Sequence, residues 1–149
     1  MRSIDSHRWS LTLKTTSILV AAALAAALLP RAAPAQTPNP VLQALEAQAK
    51  AQPGFAGFSA QRGQALFAKA GNGDWSCTSC HTANPINPGK HAQTGKEIAP
   101  LAPAANPTRL TDTDKADKWL KRNCNDVLGR ECSVHEKGDV VVWLLALKR

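Results

Sequence analysis

Five consecutive residues, Cys77-Thr78-Ser79-Cys80-His81, concentrate the reactive side chains of this 149-residue chain. Two thiols three positions apart, followed at once by an imidazole, form the C-x-x-C-H pattern at which a c-type haem is attached. Each thiol can form a thioether to a haem vinyl group, and the histidine is then held beneath the iron as its proximal ligand. A zinc site or a dithiol redox pair is the competing reading, but neither needs the histidine at that place. The single methionine is Met1. The thioether sulfur that raises the potential of small electron carriers is therefore missing from the sixth position. The distal side is either empty or filled by another donor.

The other two cysteines, Cys124 and Cys132, make a second pair, expected as a disulfide in an exported chain, with two free buried thiols as the alternative. Export is read from the N-terminus. Arg2, Arg8 and Lys14 precede an apolar run from Ile18 to Leu29, and Ala33-Pro34-Ala35 places small residues where a signal peptidase reads. Cleavage is expected after Ala35, which removes His7 and Trp9 and leaves one domain over residues 36–149. A membrane anchor competes with this reading. Twelve apolar residues, however, give only about 18 Å of helix against a hydrocarbon core of roughly 30 Å.

The 114 residues after position 35 suffice for one small domain with a modest core. They include three Phe and three Trp but no Tyr, so a haem would be the largest apolar object in that core. They carry 14 Lys and Arg against 10 Asp and Glu, a net charge of +4. Two haem propionates would bring this to about +2, which argues against nucleic acid but leaves room for a basic face toward an acidic redox partner.

The elements that must position the motif are helical. Val41 to Lys50 reads as a short amphipathic helix ended by Pro53-Gly54. A second starts at Ser59 as cap and runs to about Lys69, where Gly71-Asn72-Gly73 stops it just before the motif. Thr82 to Pro107 is rich in proline and lacks periodicity, which predicts a long ordered loop over the haem, with no strand. A third helix begins near Thr111 or Asp112 and places Ala116, Trp119, Leu120 and Asn123 on one face, so that Asn123 is a polar amide at the end of an apolar stripe. Ser133-Val134-His135-Glu136 is a capping box for the last helix, with Val140, Trp143, Leu144 and Leu147 as its buried stripe. No repeat and no second domain is visible.

Gly63 with Phe67 ahead of the motif, and Trp143-Leu144 near the C-terminus, resemble the crossed terminal helices of class I cytochromes c. The segments Thr94 to Pro103 (TGKEIAPLAP), Lys118-Trp119-Leu120, Arg122-Asn123-Cys124-Asn125 and Gly129-Arg130-Glu131-Cys132 resemble the SHP-type (sphaeroides haem protein) cytochromes c. The likeness runs from about Ser59 to Leu147, and residues 36–58 add little to it. It implies an all-α class I cytochrome c fold around one covalent haem c, attached through Cys77 and Cys80 with His81 as proximal ligand. It implies that Asn123 is the distal ligand, beside a Cys124–Cys132 disulfide, and that the asparagine leaves on reduction so that oxygen, nitric oxide or carbon monoxide can bind. A di-haem cytochrome c and a membrane cytochrome b are the implied neighbours in the electron path. An amide oxygen is a hard, neutral, weak donor that suits ferric better than ferrous iron, which agrees with release on reduction.

Other residues were weighed against these. His91 and His135 could reach the iron but read as surface residues. Pro100 could offer its carbonyl to the second nitrogen of His81 and fix the ring. Trp75 and Trp119 are expected against the haem edge, Arg109 either beside a propionate or in solvent, and Lys115, Lys118 and Lys121 on a solvated face. Together with the resemblance, the residues predict a periplasmic electron-transfer and ligand-binding haem protein with no anchor after cleavage. A reductase of oxygen, nitric oxide or peroxide ranks lower because no side chain is placed for distal acid/base work. A plain carrier is the third reading.

Overall fold

A computed structural model describes residues 38–149. The expected export signal over residues 1–35, its cleavage after Ala35, and the residues His7 and Trp9 lie outside the described residues. Among the described residues no helix is long and apolar enough to cross a membrane.

Helix α1 spans Pro40–Lys50; Asn39 caps it by accepting from the Leu42 amide at 3.1 Å, and Pro40 occupies the first turn, where no amide donor is needed. Helix α2, Ala60–Ala68, is capped by Ser59 as the sequence predicts. A 3-10 turn at Asn72–Asp74 leads into α3, Thr78–His81, a single turn that carries the C-x-x-C-H motif. Helix α4 runs from Thr113 to Leu128 with Asp112 as its cap and left-handed Gly129 as its end. Helix α5, Val134–Ala146, opens with the expected capping box, in which Ser133 and Glu136 satisfy each other's backbone amides. The loop after the motif departs from expectation in one respect. It contains a small antiparallel pair, β1 Gly89–Lys90 against β2 Glu97–Ile98, with Gly89 opposite Ile98. Two residues per strand are too few for alternation to show in the sequence.

Helix α5 is the spine of the molecule. On one side α2 crosses it and brings Phe67 onto Val140, Trp143 and Leu144, the Phe67 and Trp143 rings lying 4.8 Å apart. The crossing needs glycine at 63: a Cβ there would run into the Asp139 carbonyl on α5. On the other side Val41 and Leu45 of α1 pack on Val141, with Ala116 and Leu120 of α4 closing the cluster. The segment that added little to the sequence reading thus forms a third wall of the core.

Two charged residues on α5 are buried, and each is paired. Asp139 accepts from the Ser59 amide at 2.6 Å and from Arg62 Nε at 2.6 Å, fastening α2 to α5. Lys137 reaches Asp117 and Glu131. On α4, Ala116 and Leu120 make the contact with the core, and Trp119 is 46 % exposed. Leu147 sits just past the end of α5 and is half-buried.

Candidate haem centre

The single turn of α3 is closed by the His81 amide donating to the Cys77 carbonyl at 3.0 Å. Positions i, i+3 and i+4 of a helix share a face, so this turn brings Cys77, Cys80 and His81 together. Both cysteines are free and partly accessible. Thr82, at φ +63, breaks the helix immediately after His81, a conformation that a β-branched residue holds only under constraint. Gly89 lies so close behind the motif that a Cβ there would meet the Cys80 carbonyl, and the Ala92 amide approaches Cys80 Sγ at 3.4 Å.

Burial pushes the Cys77 thiol above its ordinary pKa. Burial, and then the charge of Arg109, lower the pKa of His81 and keep the imidazole neutral, the form that ligates a metal. The His81 ring lies 6.2 Å from the Phe67 ring, and Cys77 packs on the Phe67–Trp143 cluster, so the motif is backed by an apolar wall. His81 Nδ1 is buried with no hydrogen-bond partner. This corrects the expectation for Pro100: its carbonyl accepts from Arg109 Nε at 3.0 Å and Asn106 Nδ2 at 3.3 Å, and does not bond His81. Arg109 also donates to the Ala99 carbonyl at 2.9 Å, so it clamps the loop instead of standing free in solvent.

Asn123 lies on α4, whose end packs against the chain leading into the motif: a Cβ on Gly71 would strike the Val127 carbonyl. Asn123 is half-buried and its amide makes no hydrogen bond to any described residue. It does not cap the helix. The helix continues to Leu128, Asn125 Nδ2 donates to the Lys121 carbonyl at 2.9 Å, and the Gly129 amide closes onto the Asn125 carbonyl at 3.0 Å. The next residue, Cys124, is joined to Cys132 in a disulfide with Cα atoms 5.6 Å apart. Trp119 lies one turn before Asn123, with the Arg122 guanidinium 5.6 Å from its ring centre. Trp75 is half-buried in the approach to the motif, where its carbonyl accepts from the Gly71 amide at 2.7 Å.

Among the described residues the remaining histidines are His91 and His135. His91 Nδ1 accepts from the Thr94 amide at 3.2 Å within the turn of the β1–β2 pair. His135 is not the surface residue expected: its ring stacks on Phe55 at 5.4 Å, and its Nε2 is buried. Lys115, Lys118 and Lys121 are exposed, as read from the sequence, and Lys121 approaches Glu131 at 3.7 Å. Sequence reasoning missed Lys137 and Asp139. Their partners come from distant segments, and their only local signal is that they precede Val140, Val141 and Leu144 on the buried side of α5.

This set of groups fits a haem. Two free thiols and a neutral imidazole share one turn against an apolar wall. Cys77 and Cys80 would hold haem c through thioethers, and His81 would ligate its iron. No group of three or more His, Cys, Asp or Glu among the described residues is arranged to hold a bare metal ion.

Known proteins with these features are similar to the chain. The profile of a domain of unknown function, DUF1924, matches residues 53–144. The cytochrome c-type protein SHP of Cereibacter sphaeroides is 50 % identical over 91 residues, 58 % of this chain and 70 % of that protein. The structure of oxidized SHP, described as an oxygen-binding cytochrome c, superposes with a TM-score of 0.63 at 46 % identity, over 72 % of this chain and 94 % of the other. The solution structure of cytochrome c'' from Methylophilus methylotrophus, presented as insight into haem-ligand detachment, gives a TM-score of 0.62 at 37 % identity, over 73 % and 91 % of the two chains.

Proposed function

Because the chain belongs to the SHP-type cytochromes c and carries one covalent haem c, we propose that it is a periplasmic electron-transfer protein that binds a diatomic gas. Oxygen, nitric oxide or carbon monoxide is taken at the ferrous haem once Asn123 has released it. The haem supplies the redox change and the ligand-binding metal. The protein's own part is to present two donors of unequal strength. His81 is held neutral by burial, on a turn fixed between the apolar core and the Gly89 backbone. Asn123 is a weak oxygen donor, and the disulfide at the next residue limits how far its helix end can travel.

The observation that carries this reading is the placement of Asn123. A half-buried amide with no hydrogen-bond partner among the described residues, five residues short of the helix end and directly ahead of a disulfide, has no capping role to explain it. The oxygen binding described for SHP and the ligand detachment described for cytochrome c'' support an exchangeable donor here. A di-haem cytochrome c and a membrane cytochrome b are proposed as electron partners, and export through the N-terminal signal as the route to the periplasm.

The test is the absorption spectrum of the haem-loaded protein, reduced under argon and then exposed to carbon monoxide. A prompt Soret shift is expected. An unchanged reduced spectrum would mean that a strong sixth ligand persists, and the gas-binding reading would fail. Reversible oxygen binding without consumption is expected; steady turnover with a donor would instead make the protein a reductase.

A further inference from the structure

Lys137 is 8 % exposed, an unusual position for a lysine, and its ammonium is shared between two segments. It donates to Asp117 Oδ1 on α4 at 2.8 Å and to Glu131 Oε1 in the disulfide loop at 3.3 Å. Glu131 turns its other oxygen to Lys121 of α4 at 3.7 Å. Four charges, two of each sign, thus join the middle of α4, the loop and α5. In sequence this clasp and the Cys124–Cys132 bond bracket Asn123, with Asp117 and Lys121 on one side and Cys124 on the other. The disulfide fixes only the far end of the bracket. Besides the clasp, Ala116 and Leu120 supply the apolar packing of α4 against the Val41, Leu45 and Val141 cluster of α1 and α5.

We propose that Lys137 is a positioning residue for the distal ligand: by pinning α4 and the Glu131 loop to α5 it sets how firmly Asn123 stays on ferric iron. The inference rests on the assignment of Asn123 made above. A buried ion pair of this kind gives little net stability relative to a well-packed apolar replacement, but it fixes geometry, because the ammonium must sit where both carboxylates can reach it. The two carboxylates are themselves largely in water, Asp117 at 60 % and Glu131 at 49 % exposure, so only the lysine is obliged to stay.

The experiment measures ferric holoprotein titrated with imidazole, which competes with Asn123 for the iron, together with the reduction potential. Lys137→Met is expected to raise the apparent affinity for imidazole about fivefold, and Lys137→Arg to restore most of the parent value. Loosening a ligand that favours ferric iron raises the potential, whereas loss of a nearby positive charge alone lowers it. The sign therefore separates positioning from simple electrostatics. In an Asn123→Ala background, Lys137→Met should leave imidazole affinity unchanged. If Lys137→Met does not fold, Asp117→Asn with Glu131→Gln opens the clasp from its exposed side and should likewise raise imidazole affinity, the readout that decides there because loss of two negative charges by itself raises the potential. Unaltered imidazole binding in the clasp variants, while Asn123→Ala changes the ferric spectrum, overturns the clasp alone. An unaltered ferric spectrum in Asn123→Ala overturns the ligand assignment itself.

Discussion

At the scale of the residue, the proposed chemistry depends on groups left without partners among the described residues. The Asn123 amide makes no hydrogen bond to a described residue, and His81 Nδ1 is buried and unpaired while burial holds the ring neutral. Asn123→Ala is expected to leave ferric iron without its endogenous sixth ligand, read as a shift of the ferric absorption bands toward those of five-coordinate or water-ligated haem. Unchanged ferric bands would remove Asn123 from the site. Asn123→His is expected to do the opposite, because imidazole holds ferrous iron more strongly than an amide does; carbon monoxide should then bind slowly or not at all. The turn that joins Cys77, Cys80 and His81 was legible in the sequence because its signal is local spacing, whereas the ligand role proposed for Asn123 came with the family resemblance. The role given to Pro100 was not, since which carbonyl meets which donor depends on loop backbone, and Arg109 and Asn106 take that carbonyl.

At the scale of the element, caps and helix stripes were readable where local rules decide. Ser59, Asp112 and the Ser133–Glu136 box all begin helices where side chains can satisfy the first amides. On α4, Ala116 and Leu120 of the predicted face meet the core while Trp119 stays exposed, a division that apolar spacing alone does not show. The start of α5 carries a pH dependence. Arg130 grips Glu136 with two bonds, at 2.8 and 2.6 Å, and holds its carboxyl down to about 2. A carboxyl depressed on folding adds stability above its ordinary pKa of 4.5, and this is lost as pH falls from there toward 2. The parent should therefore lose thermal stability over that range, measured by circular dichroism, and Glu136→Gln should flatten the loss. Equal pH slopes in the two proteins would show that the pair contributes nothing there. Replacing Cys124 and Cys132 together with serine is expected to lower the melting temperature and spare covalent haem. Loss of haem attachment would instead mean that the structural and haem-bearing cysteines have been confused.

At the scale of the whole molecule, the haem turn and the ligand helix are held by one spine. Helix α5 takes α2 on the side of the motif and receives α1 and α4 through the Val141 cluster. The two faces of the spine should therefore fail differently. Gly63→Ala drives a methyl group into the Asp139 backbone, where no side-chain rotation relieves it, and should cost about 3 kcal/mol. It parts α2 from α5 beside Phe67, the residue that backs His81, so haem incorporation should fall with stability. Leu45→Ala removes a buried side chain on the opposite side at a similar cost, about 3 kcal/mol. That change leaves the wall behind His81 intact and loosens the support of α4, so the haem should attach normally while ferric imidazole affinity rises. Denaturant unfolding and haem content per chain, measured on both variants, decide the matter. If the two substitutions reduce haem content equally, attachment responds to global stability alone, and the division of labour between the faces of α5 is wrong.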